Sequence, residues 1–196
     1  MSSTQETSAP RFATTVADPA ALGLAGFAMT TFVLSLANAG LIAGAGVAVL
    51  GLALFYGGLA QLAAGMWEFV KGNTFGAVAF SSYGAFWLAF WFLLTTGGAE
   101  KAGGPGVGAF LLAWTIFTAY MTIGAVKSSR IVLLVFIALT ITFLLLTIHA
   151  FSGVAAIGQI GGYLGLITAV LAWYGSAASV INSTWKRTVL PVGAPR

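Results

Sequence analysis

Residues 72–91 read GNTFGAVAFSSYGAFWLAFW, an apolar stretch interrupted at its centre by Ser81-Ser82-Tyr83-Gly84, where a helix facing only lipid would carry Leu or Val. From Phe75 to Thr96 there is no charged residue. These 22 residues at ~1.5 Å each reach ~33 Å, enough to cross a hydrocarbon core of ~30 Å. Hydroxyls at that depth either bond to a neighbouring helix or line a route that something polar takes.

The rest of the chain repeats the apolar pattern. Of 196 residues, 59% are hydrophobic and 6% charged, whereas roughly a quarter of a soluble domain is charged. The composition is that of an all-α membrane protein with several spans. The net charge of +4 comes from basic residues set singly or in pairs at the ends of apolar runs. That distribution suits membrane orientation and excludes a nucleic-acid patch. With no cysteine, a disulfide framework, a thiolate metal site and a cysteine nucleophile are all excluded. Residues 1–17 lack the basic start and apolar middle of a signal peptide, so they are expected to form a short disordered tail, and the first helix directs insertion.

Helices are expected at about 19–39, 42–71, 75–96, 107–126, 131–151 and 155–181, within a six-helix domain of residues 18–185. Asp18-Pro19 supplies a cap and a proline suited to a first turn, and Gly72-Asn73 supplies a stop. The second stretch is long for one span, which predicts tilt or a protruding end. The sequence GGAEKAGGPG at 97–106 reads as a turn, and residues 186–196 as a polar tail. Six spans put Arg11, Lys71, Lys127, Arg130, Lys186, Arg187 and Arg196 on the side of the termini and Lys101 alone on the other. By the positive-inside rule both termini are cytoplasmic.

A 3+3 arrangement invites a search for an inverted repeat. Phe27 and Phe110 follow Gly-rich starts and Tyr83-Gly84 has an echo in Tyr174-Gly175, too few matches to establish one. Glycines at four-residue spacing, Gly40/Gly44, Gly57/Gly65 around Gln61, and Gly158/Gly162, allow close helix approach within one protomer or between protomers.

The middles of all six spans lack Asp, Glu, Lys and Arg, the groups that ion-coupled carriers place there. His149, near the outer end of the fifth helix, is an interfacial side chain or a proton relay. Glu68 lies one turn before the end of the second helix with Lys71 three residues on; it is an interfacial ion pair or a carboxylate at the inner mouth. Gln61 needs a partner helix or a polar conduit, because an unpartnered amide in hydrocarbon is costly. Thr30 and Thr31 are weaker signals, since a threonine can bond its own helix. Tyr83, Phe86 and Phe90, at spacings of three and four, suit packing more often than a pore, and Trp87 and Trp91 are similarly ambiguous. No catalytic arrangement, metal cluster or phosphate loop is present, so neither an enzyme nor a cofactor is expected.

The stretches DPAALGLAGFAMTT at 18–31, FYGGLAQ at 55–61, GNTFG at 72–76, SYGAFW at 82–87 and RTVLP at 187–191 resemble the acetate uptake transporters, or succinate–acetate permeases, over nearly the whole chain. The resemblance implies an inner-membrane homohexamer of six-helix protomers, surrounded by lipid, each with its own pathway for acetate and related small carboxylates. It also implies an apolar constriction of Phe27, Tyr83 and Leu139, and it favours a pathway role for Gln61, with Thr30 and Ser82 as further polar lining. Where the family signature has Asn-Pro-Ala-Pro-Leu-Gly-Leu, this chain has Asp18-Pro19-Ala20-Ala21-Leu22-Gly23-Leu24. The change adds a negative charge at the mouth and removes a proline. Proton coupling would come from passage of the neutral acid or through Glu68 or His149. A channel for urea or short amides, or a non-transporting scaffold, would also suit six helices with no central charge.

Overall fold

The computed structural model describes residues 16–193, so almost all of the expected N-terminal tail, with Arg11 and Arg196, lies outside the described residues. Among the described residues, six membrane-length spans are built from seven α-helices. The first span is α1 (Ala20–Asn38). The second is composite: α2 (Ala45–Leu54), a π-helical segment (Phe55–Ala60) and α3 (Gln61–Lys71). The others are α4 (Thr74–Thr95), α5 (Gly98–Ala125), α6 (Arg130–Ser152) and α7 (Ala155–Trp185).

Each span packs against its neighbours in sequence, and α7 returns to pack along α1, which closes the spans into a ring. Across that ring the backbones of α4 and α6 do not meet. Aromatic side chains fill the gap: Phe75 lies 5.1 Å and Tyr83 6.1 Å from Phe136, and Phe86 lies 5.3 Å from Phe143, ring centre to ring centre. Large rings reach where helices cannot approach, and they leave apolar space between them.

Local chemistry sets the ends. Gly72 takes φ 77° and ends α3, and Asn73 Oδ1 then accepts from Gly76 N at 3.2 Å to cap α4. Ser129 caps α6 in the same way, accepting from Val132 N. At α1 the Asp18 carboxylate accepts from Ala20 N at 3.1 Å. Pro19 O accepts the first helical bond, from Gly23 N at 3.0 Å, and α1 begins at Ala20.

Three features depart from the sequence expectations. The second span contains a π-helical turn over FYGGLA, which shifts the register immediately before Gln61. Helical structure begins at Gly98 rather than 107, broken at Gly103 (φ 61°, ψ −176°), two residues before Pro105. Helix α7 runs on to Trp185, and residues 186–193 fold back over its end. There Asn182 Oδ1 accepts from Val189 N and Leu190 N at 2.7 and 2.9 Å, and the Tyr174 hydroxyl donates to Pro191 O at 2.8 Å.

Most of the glycines at four-residue spacing serve contacts inside the protomer. A side chain at Gly57 would meet Thr30 and Trp87, one at Gly65 would meet Ser81, and one at Gly162 would meet the backbone of Ala39. Gly40 and Gly44 lie in the turn between α1 and α2 and form no helical row. Tyr83 and Tyr174 also differ in setting, since the first is in the core and the second binds the C-terminal strap.

Candidate functional site

Two cavities enter the ring from opposite ends. One, of about 130 Å³, opens beside Ala20, Asn73 and Ser128, at the end where α1 begins. The other, of about 620 Å³, opens beside Glu100, Gly103 and His149. Phe27 of α1 and Leu139 of α6 line both cavities, so these two side chains form the partition. Tyr83 joins them from the smaller cavity, its ring 5.7 Å from that of Phe27, and Phe86 stands on the other side. All four are buried.

The walls of both cavities are mostly apolar, and their polar groups are few. Gln61, the first residue after the π-helical turn, is 1% exposed and lines the smaller cavity, with its Oε1 lacking a hydrogen-bond partner. The turn sits where α1 comes very close: a Cβ on Gly26 would fall 2.6 Å from Tyr56 O. Only glycine permits that approach, and it brings Phe27 and Gln61 to one cavity. Tyr83 is a different case. Thr118 Oγ1 donates to Trp114 O at 2.7 Å, so at 3.0 Å from Tyr83 it can only accept, and the tyrosine hydroxyl donates to it. Tyr83 lines the smaller cavity while its hydroxyl is already engaged.

Thr30 is fully buried, donates to Gly26 O at 2.8 Å and lines neither cavity. Ser82 is half-buried and also lines neither. The polar residues that do line the cavities include Asn73 and Ser128 in the smaller one and Thr31, Ser35, Asn38 and Trp87 in the larger. Thr31 Oγ1 and Trp87 Nε1 are buried without partners. Threonine is ambiguous in any membrane helix, and nothing in the sequence separated Thr31 from Thr30.

The mouth of the smaller cavity has its own network. Lys71 Nζ binds Asp18 Oδ1 at 2.8 Å, joining the end of α3 to the start of α1. Of the two readings of Glu68, the ion pair with Lys71 is therefore not made. Glu68 is instead fully buried, with Oε2 accepting from Asn73 Nδ2 at 2.8 Å and Oε1 unpartnered. It stands one side chain behind the cavity wall. At the other mouth His149 Nδ1 lies 2.9 Å from Val154 O, an interfacial contact at the end of α6. No group of metal-binding residues occurs among the described residues.

Residues 2–194 match the profile of the GPR1/FUN34/yaaH family. The chain belongs to that family. Its relatives include the succinate-acetate/proton symporter SatP of Escherichia coli strain K12, 43% identical over 183 residues, 92% of this chain and 97% of that one. Ammonia transport outward protein 2 of Saccharomyces cerevisiae is 43% identical over 176 residues, 84% of this chain and 61% of the yeast protein. A solved structure of the bacterial acetate channel SatP superimposes with a TM-score of 0.85 at 43% identity, covering 91% of this chain and 99% of that chain. Family membership and this match make the chain an all-helical membrane transport protein and not an enzyme.

Proposed function

We propose that this protein is a membrane transporter or channel for acetate and related small carboxylates, with one pathway through each protomer. The observation that carries the reading is the meeting of two oppositely directed cavities at Phe27 and Leu139. A partition one or two side chains thick suits a small solute that sheds its water to pass. Phe27, Tyr83 and Leu139 form the apolar constriction, which makes passage of hydrated ions costly. Gln61 is the polar group beside it. Thr31 and Trp87 take the place of Thr30 and Ser82 as lining on the far side.

Asp18 and Glu68 shape the cytoplasmic mouth and His149 the outer one. The strong bias of basic residues supports cytoplasmic termini in the cell membrane. Exposed apolar side chains, among them Val47, Phe55 and Ile123, supply the surface for lipid and for assembly into a homohexamer. The names of the SatP relatives support acetate and succinate as substrates.

Uptake of labelled acetate, urea and ammonium into proteoliposomes tests the proposal. Acetate entry above protein-free vesicles, competed by unlabelled acetate, is expected. Ammonium or urea entry without acetate entry overturns it.

A further inference from the structure

We propose that Asn73 meets the substrate at the mouth of the smaller cavity, and that Glu68, which never touches the substrate, is the residue that positions Asn73. The inference rests on the acetate-transport reading above and adds a recognition residue with its support. Most bonding groups of Asn73 are committed within the fold. Its Oδ1 accepts from Gly76 N at 3.2 Å, its Nδ2 donates to Glu68 Oε2 at 2.8 Å, its N donates to Glu68 O at 3.0 Å and its O accepts from Ala77 N at 2.9 Å. A side-chain amide nitrogen carries two hydrogens. One N–H of Asn73 is therefore uncommitted among the described residues, on a half-buried side chain that lines the smaller cavity. A carboxylate presents only acceptors, so a fixed donor at the mouth suits it.

The amide fits only one way round. Gly76 N–H must meet an oxygen and the carboxylate of Glu68 must meet a donor, so the oxygen of Asn73 faces α4 and its nitrogen faces Glu68. Glycine at 76 makes room for the pair: a Cβ there would fall 2.6 Å from Asn73 Nδ2 and 2.9 Å from Glu68 Cδ. Glu68 itself is fully buried and lines neither cavity, and its side chain bonds only to Asn73 among the described residues. Lys71, three residues on, is committed to Asp18. An acid in the last turn of α3 opposes the dipole of that helix, but its carboxyl group lies over the first turn of α4, where negative charge is favoured. What Glu68 supplies to the pathway is an acceptor oxygen in a fixed place, rather than a charge or a proton site.

Acetate flux in proteoliposomes holding the complete chain, corrected for protein-free vesicles and measured over a range of acetate concentrations, tests this beside thermal unfolding in detergent. Glu68→Gln keeps an oxygen for Asn73 and, because Glu68 Oε1 has no partner, its new amide nitrogen displaces no bond. Its half-saturating acetate concentration is expected within about twofold of that of the unaltered protein. Glu68→Leu removes the acceptor and should raise that concentration about three- to tenfold with maximal flux little changed, which is what the loss of one hydrogen bond gives. Exchanging the pair, Glu68→Gln with Asn73→Asp, restores the bridge with donor and acceptor reversed and keeps an oxygen for Gly76 N, but leaves no side-chain N–H at position 73. The exchanged protein is expected to unfold near the temperature of the unaltered one and yet to keep its half-saturating concentration raised at least about threefold. Should it fail to fold, the comparison of the two Glu68 variants still decides. A Glu68→Gln protein as impaired as Glu68→Leu, or an exchanged pair with unaltered acetate dependence, overturns the inference while leaving acetate transport standing. Absence of protein-dependent acetate flux in the unaltered protein overturns both.

Discussion

Tyr83 donates its hydroxyl to Thr118 Oγ1 across 3.0 Å, and Thr118 in turn donates to Trp114 O. The hydroxyl fixes the ring and the ring forms the wall, so the two parts of the side chain separate by mutation. Tyr83→Phe is expected to keep acetate flux within about threefold and lower stability by about 1 kcal/mol, the net worth of one hydrogen bond. Thr118→Val leaves the tyrosine hydroxyl unpartnered in a buried site and should cost more, about 1–3 kcal/mol. Thermal unfolding in detergent, beside flux in vesicles, checks both.

Removing the rings or side chains that close the partition should change selectivity. Phe27→Ala and Leu139→Ala each open the passage between the two cavities. The ratio of butyrate to acetate uptake is expected to rise severalfold in either variant. An unchanged ratio with intact protein would place the narrow point elsewhere.

The close approach of α1 to the π-helical turn leaves no room for a methyl group. A Cβ at Gly26 would lie 2.6 Å from Tyr56 O, and one at Gly84 would lie 2.7 Å from Leu62 N. Both obstacles are backbone atoms that cannot swing aside. Gly26→Ala and Gly84→Ala should each destabilise by about 1–3 kcal/mol through overpacking. Gly44→Ala, with nothing within 4 Å, serves as the control and should leave the unfolding temperature in place.

The Asp18–Lys71 pair joins two spans but is partly exposed, at 46% and 32%. Solvent screening holds such a pair to about 0.2–1 kcal/mol. A double-mutant cycle with Asp18→Asn and Lys71→Met should return a coupling energy in that range, and it should shrink as salt is raised. A coupling above ~2 kcal/mol would mean that the pair is shielded in the assembled protein.

Six spans were legible because they are long apolar runs whose basic residues fall almost all at one set of ends, and the four residues that the family resemblance pointed to, Phe27, Tyr83, Leu139 and Gln61, line one cavity. What the sequence hid was how the polar groups are used. Thr30 and Thr31 are adjacent and chemically alike, yet one donates to its own helix and the other lines the larger cavity. Lys71 is three residues from Glu68 but pairs with Asp18, because α1 and α3 meet only in the folded ring. The π-helical turn in FYGGLA packs against Gly26 of another helix, a contact that no local pattern announces. The glycines of 97–106 look like a loop, although only Gly97 and Gly103 there adopt left-handed φ and the rest continue the helix.

The central claim is that substrate passes the partition at Phe27 and Leu139. The chain has no cysteine, so Leu139→Cys carries a single reactive thiol at that point. After treatment with a small methanethiosulfonate reagent, the labelled fraction is read by mass spectrometry and acetate flux is measured on the same vesicles. Flux is predicted to fall in proportion to the labelled fraction and to recover on reduction. Complete labelling with unchanged flux, or a thiol that no water-soluble reagent reaches from either side, would contradict the account.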